Sequence, residues 1–283
     1  MRAFTDAPVH MKTWLAIGTG LLLTALTAKA QEAALPLWEV GLLGGLAATP
    51  SYPASAERAS RALVLPFLVY RGEILRADRE GVGARLVHTR DVEFDVGLAA
   101  SLPSNSTDSA ARQGMPDLGT LIEVGPRLKW IVTRPAPGSR VQIELPLRAV
   151  LEFNSGVQRQ GLVLEPQLKS ETHDVDDDLR MNASASLVFG DRSLNNFFYS
   201  VKPEFATTLR PAYEAQAGLI STRLSLSTSK KLNKDIRVFG FLRFESYAGA
   251  ANQGSPLYRQ SSGTSVGLAA TWTLGRSDRS AHD

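Results

Sequence analysis

Cysteine is absent from the 283 residues, which removes disulfides, thiolate nucleophiles and thiolate metal sites at once. Histidine is scarce, at four, so imidazole chemistry has little to draw on. An excess of one charge is missing too: Lys+Arg at 31 against Asp+Glu at 28 leaves a formal +3, spread along the chain, and this excludes a nucleic-acid-binding surface. Past the N-terminus no stretch approaches the roughly 18 consecutive apolar residues of a spanning helix. A mature chain that enters a membrane would therefore have to do so with strands. What is present, 43% hydrophobic and 21% charged residues, is the composition of a folded protein.

Met1, Arg2 and Lys12 precede an apolar run from Trp14 to Leu26, which is followed by Ala28-Lys29-Ala30. A positive start, a short apolar centre and a small-x-small site read as a signal peptide over residues 1–30. Its removal takes Arg2, Lys12, Lys29 and Asp6 and leaves a nearly neutral exported chain.

From Arg140, Val141, Ile143, Leu145, Leu147, Ala149, Leu151 and Phe153 occupy every second position. Between them stand Gln142, Glu144, Pro146, Arg148, Val150 and Glu152. On a helix these apolar residues would point in every direction and Pro146 would break the interior, so only period two gives an amphipathic element. The same alternation recurs from Val92, Val124, Leu162, Leu179 and Val266. A strand of ten residues at about 3.3 Å per residue, tilted near 45°, rises roughly 23 Å, the height of an outer-membrane barrel's apolar band. Strand length, few helical segments and export without disulfides favour an all-β, antiparallel outer-membrane barrel over a soluble sandwich.

Twelve strands are expected: Leu37–Leu46, Ala62–Tyr70, Glu73–Arg79, Gly83–His88, Val92–Leu102, Thr120–Thr133, Arg140–Phe153, Val157–Ser170, Leu179–Phe189, Leu219–Leu232, Ile236–Tyr247 and Thr264–Leu274. The barrel spans 31–274, with a polar tail at 275–283. A weak alternation at Phe197–Phe205 would make the number odd, whereas bacterial single-chain barrels are even. With the first strand running outward, the long connections Ala47–Arg61, Pro103–Gly119, Asn195–Gly218 and Ala248–Gly263 fall on the extracellular side. Pro203 and Pro211 agree with a loop there.

The polar face then lines the lumen. It presents Glu93, Asp95, Glu123, Arg127, Lys129, Arg140, Glu144, Arg148, Glu152, Arg180, Arg223, Arg237, Arg243 and Glu245. Twelve strands enclose a narrow space, and paired long side chains of both signs would fill much of it, so an occluded interior is expected. Salt bridges fit these charges better than a substrate path does.

The segment Pro50–Ser55, then Leu65-Pro66-Phe67, Tyr70-Arg71-Gly72 and Leu75–Leu86, resembles the N-terminal signature of the MipA/OmpV family of outer-membrane proteins. So, in order and spacing, do Phe197–Gly218, Ser221–Leu232, Gly240–Ala250 and Ser255–Tyr258. The resemblance implies a non-enzymatic barrel embedded in outer-membrane lipid. It also implies a scaffold bringing a murein hydrolase, a lytic transglycosylase, together with a murein synthase; a porin-like channel for small solutes is the alternative. Two departures stand out. Ala54 occupies a place where the family usually has glycine, and the chain ends in a polar tail where barrels commonly end in an aromatic residue.

No catalytic constellation emerges. His88 and His173 fall at the periplasmic turns, away from the outer rim where barrel hydrolases work. The acidic run His173–Asp178 lacks the glycine and distal glutamate of a calcium loop. Gly41, Gly44 and Gly45 sit inside a strand without a following helix or Lys-Ser/Thr, so no phosphate loop is formed. No cofactor or metal is expected.

Overall fold

A computed structural model describes residues 35–78, 81–101, 103–154 and 156–281; the expected signal peptide lies outside them. The chain forms β1 (Trp38–Pro50), β2 (Arg58–Arg71), β3 (Leu75–Asp78), β4 (Gly81–His88), β5 (Val92–Ser101), β6 (Thr120–Thr133) and β7 (Ser139–Phe153). It continues with β8 (Val157–Leu164), β9 (Gln167–Asp174), β10 (Leu179–Gly190), α1 (Arg192–Tyr199), β11 (Gly218–Lys231), β12 (Ile236–Ser246) and β13 (Ser262–Arg276). Neighbours in sequence pair antiparallel, apart from β8 and β9, and β13 pairs back onto β1, for example Trp272 opposite Leu42, closing the sheet.

Thirteen segments make twelve places round the barrel, because β8 and β9 share one. Both pair with β7, through Leu147↔Leu164 and Glu144↔Gln167. Both also pair with β10, through Phe189↔Leu164 and Ser186↔Gln167. The single strand expected at Val157–Ser170 is thus interrupted at Glu165-Pro166 and extends to Asp174. Proline has no N–H for the ladder, and the chain resumes when the Leu187 N–H donates to the Pro166 carbonyl at 3.1 Å.

The sheet is inside out relative to a soluble protein. Val64, Leu268 and Leu46 are 74%, 68% and 65% exposed on the outer face, while Glu144 is 1% and Lys129 7% exposed within. That burial pattern places lipid outside the wall, since a water-soluble sandwich would reverse it.

The first connection is shorter than expected. β1 runs to Pro50 and β2 starts at Arg58, leaving only 51–57 as loop. At the other end β13 continues past Leu274 to Arg276, and the polar tail is tied beside the first strand. The Leu37 N–H donates to the Arg279 carbonyl at 2.8 Å and the Ala281 N–H to Leu35 at 2.7 Å. The 191–217 connection holds α1, which periodicity does not reveal because it is only two turns long. Asp191 caps it, its Oδ1 accepting the Leu194 N–H at 2.9 Å. Gly41 is explained by close strand approach, since a Cβ there would lie 2.0 Å from the Trp272 carbonyl oxygen.

Candidate functional site: the lumen and its outer chamber

Alternation turns one residue in two inward, so each strand contributes its charges at successive heights. At one side of the lumen, Asp95 on β5 accepts from Arg127 on β6 through Nε, at 3.0 Å and 3.2 Å to its two oxygens, and through Nη2 at 2.7 Å. Lys129 reaches Glu93 at 2.6 Å and Asp95 at 3.1 Å. Glu144 on β7 accepts from Gln142 at 2.6 Å, Gln167 at 2.9 Å and Lys169 at 3.4 Å, with Arg127 at 3.9 Å. Lys169 continues to Glu171, which Arg140 also engages.

A second chain crosses higher. Glu123 pairs with Arg148 at 2.9 Å, Arg148 with Glu165 at 2.8 Å, Glu165 with Arg223 at 2.6 Å, and Arg223 with Glu245 at 2.9 Å. Together they form a belt of alternating sign across the hollow, each desolvated charge facing its opposite.

The remaining charged positions lie apart from the belt. Glu152 sits at the outer rim, accepting the Gly119 N–H at 2.7 Å. Arg237 binds Asp178 at 2.7 Å near the inner end, and Arg180 stands cross-strand from His173 and Ser229. Arg243, whose buried Nε has no hydrogen-bond partner among the described residues, borders a chamber above the belt. Glu165, Lys169 and Glu171 were absent from the expected lining. Their signal was available, since Glu165 and Lys169 have the opposite parity to Leu164 and Leu168, as Arg148 has to Leu147. Arg61 was likewise missed.

The outer mouth is closed by a folded lid. Leu194 and Tyr199 of α1 pack with Ala54, Ile220 and Tyr247. Tyr52, Leu118, Val201 and Leu257 form a second cluster. Asn252 ties the loops together, donating to Asn195 and to the Gln216 carbonyl, each at 2.9 Å. Ala54 adopts φ +64°, the left-handed conformation that glycine tolerates best. Its carbonyl receives the Arg259 N–H at 2.9 Å.

Glu57, just before β2, fastens the 103–119 loop. Its carboxylate accepts from Ser55 at 3.0 Å, from Ser109 at 3.1 Å and from the Ala110 N–H at 3.1 Å. Burial pushes this carboxyl up, but the hydrogen bonds from Ser55, its own backbone, Ser109 and Ala110 outweigh it and hold it below its ordinary 4.5. Burial raises the Tyr52 phenol and lowers the Arg112 guanidinium beside it, whose carbon lies 5.7 Å from the ring centre.

Beneath the lid and above the belt lies a chamber of about 440 Å³, bordered by residues including Leu121, Val150, Val163, Phe197 and Phe198. A cleft of about 890 Å³ opens among the loops outside, lined by Arg112, Arg159, Lys202, Phe197 and Tyr213 among others. His88 Nδ1 lies 3.3 Å from Glu93, and His173 Nε2 3.7 Å from Asp178, both near the inner end. Among the described residues no three His, Asp or Glu converge as metal ligands. In the acidic turn, Asp174 accepts the Asp176 N–H while Asp177 and Asp178 pair with Lys230 and Arg237.

A family model described as "MltA-interacting protein MipA" matches residues 40–274, the whole barrel from the third residue of β1 almost to its last strand's end. The chain belongs to the MipA family. MipA proteins of this kind are non-enzymatic outer-membrane barrels, and the inside-out wall described above is what that location requires. Comparison with curated proteins gives no significant match. Among solved structures, the NanC porin is 11% identical, covering 83% of this chain and 100% of its own, at TM-score 0.37. A bacterial polysaccharide outer membrane secretin is 9% identical, covering 85% and 99%, at 0.39. OmpT of Vibrio cholerae is 10% identical, covering 87% and 100%, at 0.34. At such scores these likenesses add nothing to the argument for fold or function.

Proposed function

We propose that this MipA-family barrel is a scaffold that does not conduct solutes along its axis. In this reading its periplasmic rim gathers a murein hydrolase and a murein synthase. The observation that carries it is the belt from Glu123 through Arg148, Glu165 and Arg223 to Glu245, with the Asp95–Arg127–Glu144–Lys169 cluster beside it. In this reading paired charges held this closely serve as struts across a narrow barrel and close the axial path to hydrated solute. The fourteen lumen-facing positions read from sequence act mainly as this framework.

Docking then falls to the inner rim. Ile74, Leu232 and Val175 are exposed there, beside the tail that runs along residues 35–38. Single turns offer far less than the roughly 1,200 Å² of a stable interface, so a partner must bridge several turns and the tail together. Two measurements test this. Planar bilayers containing the protein are expected to stay silent, and a detergent pull-down is expected to recover murein enzymes that are lost when Ile74, Val175 and Leu232 become Asp together. Steady single-channel currents without enzyme recovery would instead make it a solute channel.

A further inference from the structure

The wall is not closed along its full height. β2 pairs with β1 throughout, from Trp38↔Tyr70 to Pro50↔Arg58. On its other edge it pairs with β3 only at Tyr70 and Arg71. Among the described residues, positions 58–69 have no strand partner on that edge. Across the gap, β4 pairs with β5 only as far as Leu98, and Ala99 to Ser101 have no partner on that edge among the described residues. The opening has a sill, the short β3–β4 hairpin, and a lintel, the 103–119 loop fastened to Glu57.

Side chains at the opening carry the marks of an edge. Pro66, which cannot donate to a neighbouring strand, sits midway along β2. Leu65 faces inward by register yet is 49% exposed. Ala100, which faces outward, borders the 440 Å³ chamber behind. The chamber therefore meets the lipid side of the wall at this place, while the lid covers it above and the ion-pair belt below.

Its lining is selective. Arg61 on β2 and Arg243 on β12 border the chamber; Arg243 Nε is buried without a hydrogen-bond partner, and neither side chain has a hydrogen bond or ion pair to an acid among the described residues. Across β1 and β13 the places between them hold the small residues Ala47, Gly267 and Ser265, and the Phe241 ring packs over Gly267 as part of the chamber wall. The rest of the wall is mainly apolar, apart from Glu123 and Glu245 at its floor, which are paired to Arg148 and Arg223 of the belt. Guanidiniums with no hydrogen-bonded acid among the described residues, set beside apolar surface, call for an anion with a hydrocarbon tail, and 440 Å³ is within the range of small-molecule sites.

We propose that the β2–β5 opening admits a single-chain anionic amphiphile from the outer leaflet, its carboxylate or phosphate held by Arg61 and Arg243 and its chain by the chamber wall. This is independent of the scaffold reading, since it concerns the opposite end of the barrel and needs no murein enzyme.

The test is native mass spectrometry of the full chain in a neutral polyoxyethylene detergent, with palmitate, lysophosphatidylglycerol and uncharged monopalmitoylglycerol as probes. One adduct of palmitate or lysophosphatidylglycerol is expected, at least tenfold above monopalmitoylglycerol, the stronger anion identifying the head group. Arg61→Gln/Arg243→Gln should lose it tenfold or more, with Arg61→Lys/Arg243→Lys retaining it and heat-modifiable gel mobility reporting that both are folded. Arg61→Gln alone provides the same reading if the pair fails to fold. Retention of neither anion, or equal retention by the folded glutamine variants, overturns the site. Ala100→Trp should slow uptake from vesicles at least fivefold, and an unchanged rate overturns the lateral route.

Discussion

The barrel wall is interrupted in two places, and the chain treats them differently. The outer half of β8 lacks a full ladder with β10, which reaches it only at Leu164 and Val163. There α1 fills the space: the Asp191 N–H donates to the Leu162 carbonyl at 3.0 Å, and Leu194 and Tyr199 are buried against the wall. β2 also lacks a partner on its second edge, from 58 to 69, yet no helix or strand among the described residues covers it. Unsatisfied backbone groups facing hydrocarbon cost several kcal/mol each, so a sheet edge left open at membrane height has to meet water, head groups or a ligand. One gap is sealed by protein and the other is left for the surroundings to fill.

The sharpest way to break this contrast is to unseat the helix. Gly161 on β8 has φ +138°, and a Cβ there would lie 2.2 Å from Asp191 Oδ1 and 2.6 Å from the Leu194 nitrogen. Gly161→Val combines left-side backbone strain with overpacking, for a loss of about 3 kcal/mol. Protease cleavage within 191–217 is the readout, and the β8 edge should then become as accessible as that of β2.

Next comes the break between β8 and β9. Glu165 bridges Arg148 and Arg223, each of which keeps one other acid, Glu123 and Glu245. Because that compensation is partial, Glu165→Gln should cost about 2 kcal/mol, short of the ~3–5 kcal/mol of a fully orphaned buried charge. Its midpoint in urea unfolding from vesicles checks this.

The lintel over the β2 opening should respond to pH. Glu57 has a folded-state value lowered from 4.5, so its contribution is fully present above 4.5 and disappears as pH falls through the folded value. Protection of the Ala110 amide from exchange is expected to be constant from neutral pH to about 5 and to decline below 4.5. Glu57→Gln should flatten that profile. Removing the helix cap with Asp191→Ala should cost about 1 kcal/mol. The smallest effect belongs to Ala54→Gly: relief of about 1 kcal/mol of left-handed strain at φ +64° nearly cancels the loss of a fully buried methyl.

Much of this was legible in the chain. Period two fixed the strands, because one-sided burial in lipid writes a binary pattern into every one of them. It showed the face from Glu93 to Glu245, and the same parity would have added Glu165 and Lys169. Long-loop placement followed from the number of strands and the run of Pro203 and Pro211. What alternation cannot carry is pairing. Neither the split at Pro166 nor the missing partner of β2 leaves a trace in parity, since each residue still faces the correct side. Helix α1 places Leu194, Phe197 and Phe198 at i, i+3 and i+4, but two turns are too short for that period to stand out among alternating strands. The ion-pair partners too depend on cross-strand register, which turn geometry sets.

Residue-resolved amide exchange in lipid nanodiscs tests the contrast most directly. The account predicts that alternate amides between Ala59 and Val69 exchange rapidly while those of Val157–Leu162 are as protected as the closed part of the wall. Uniform protection along both segments would contradict it, because β2 would then be sealed as β8 is.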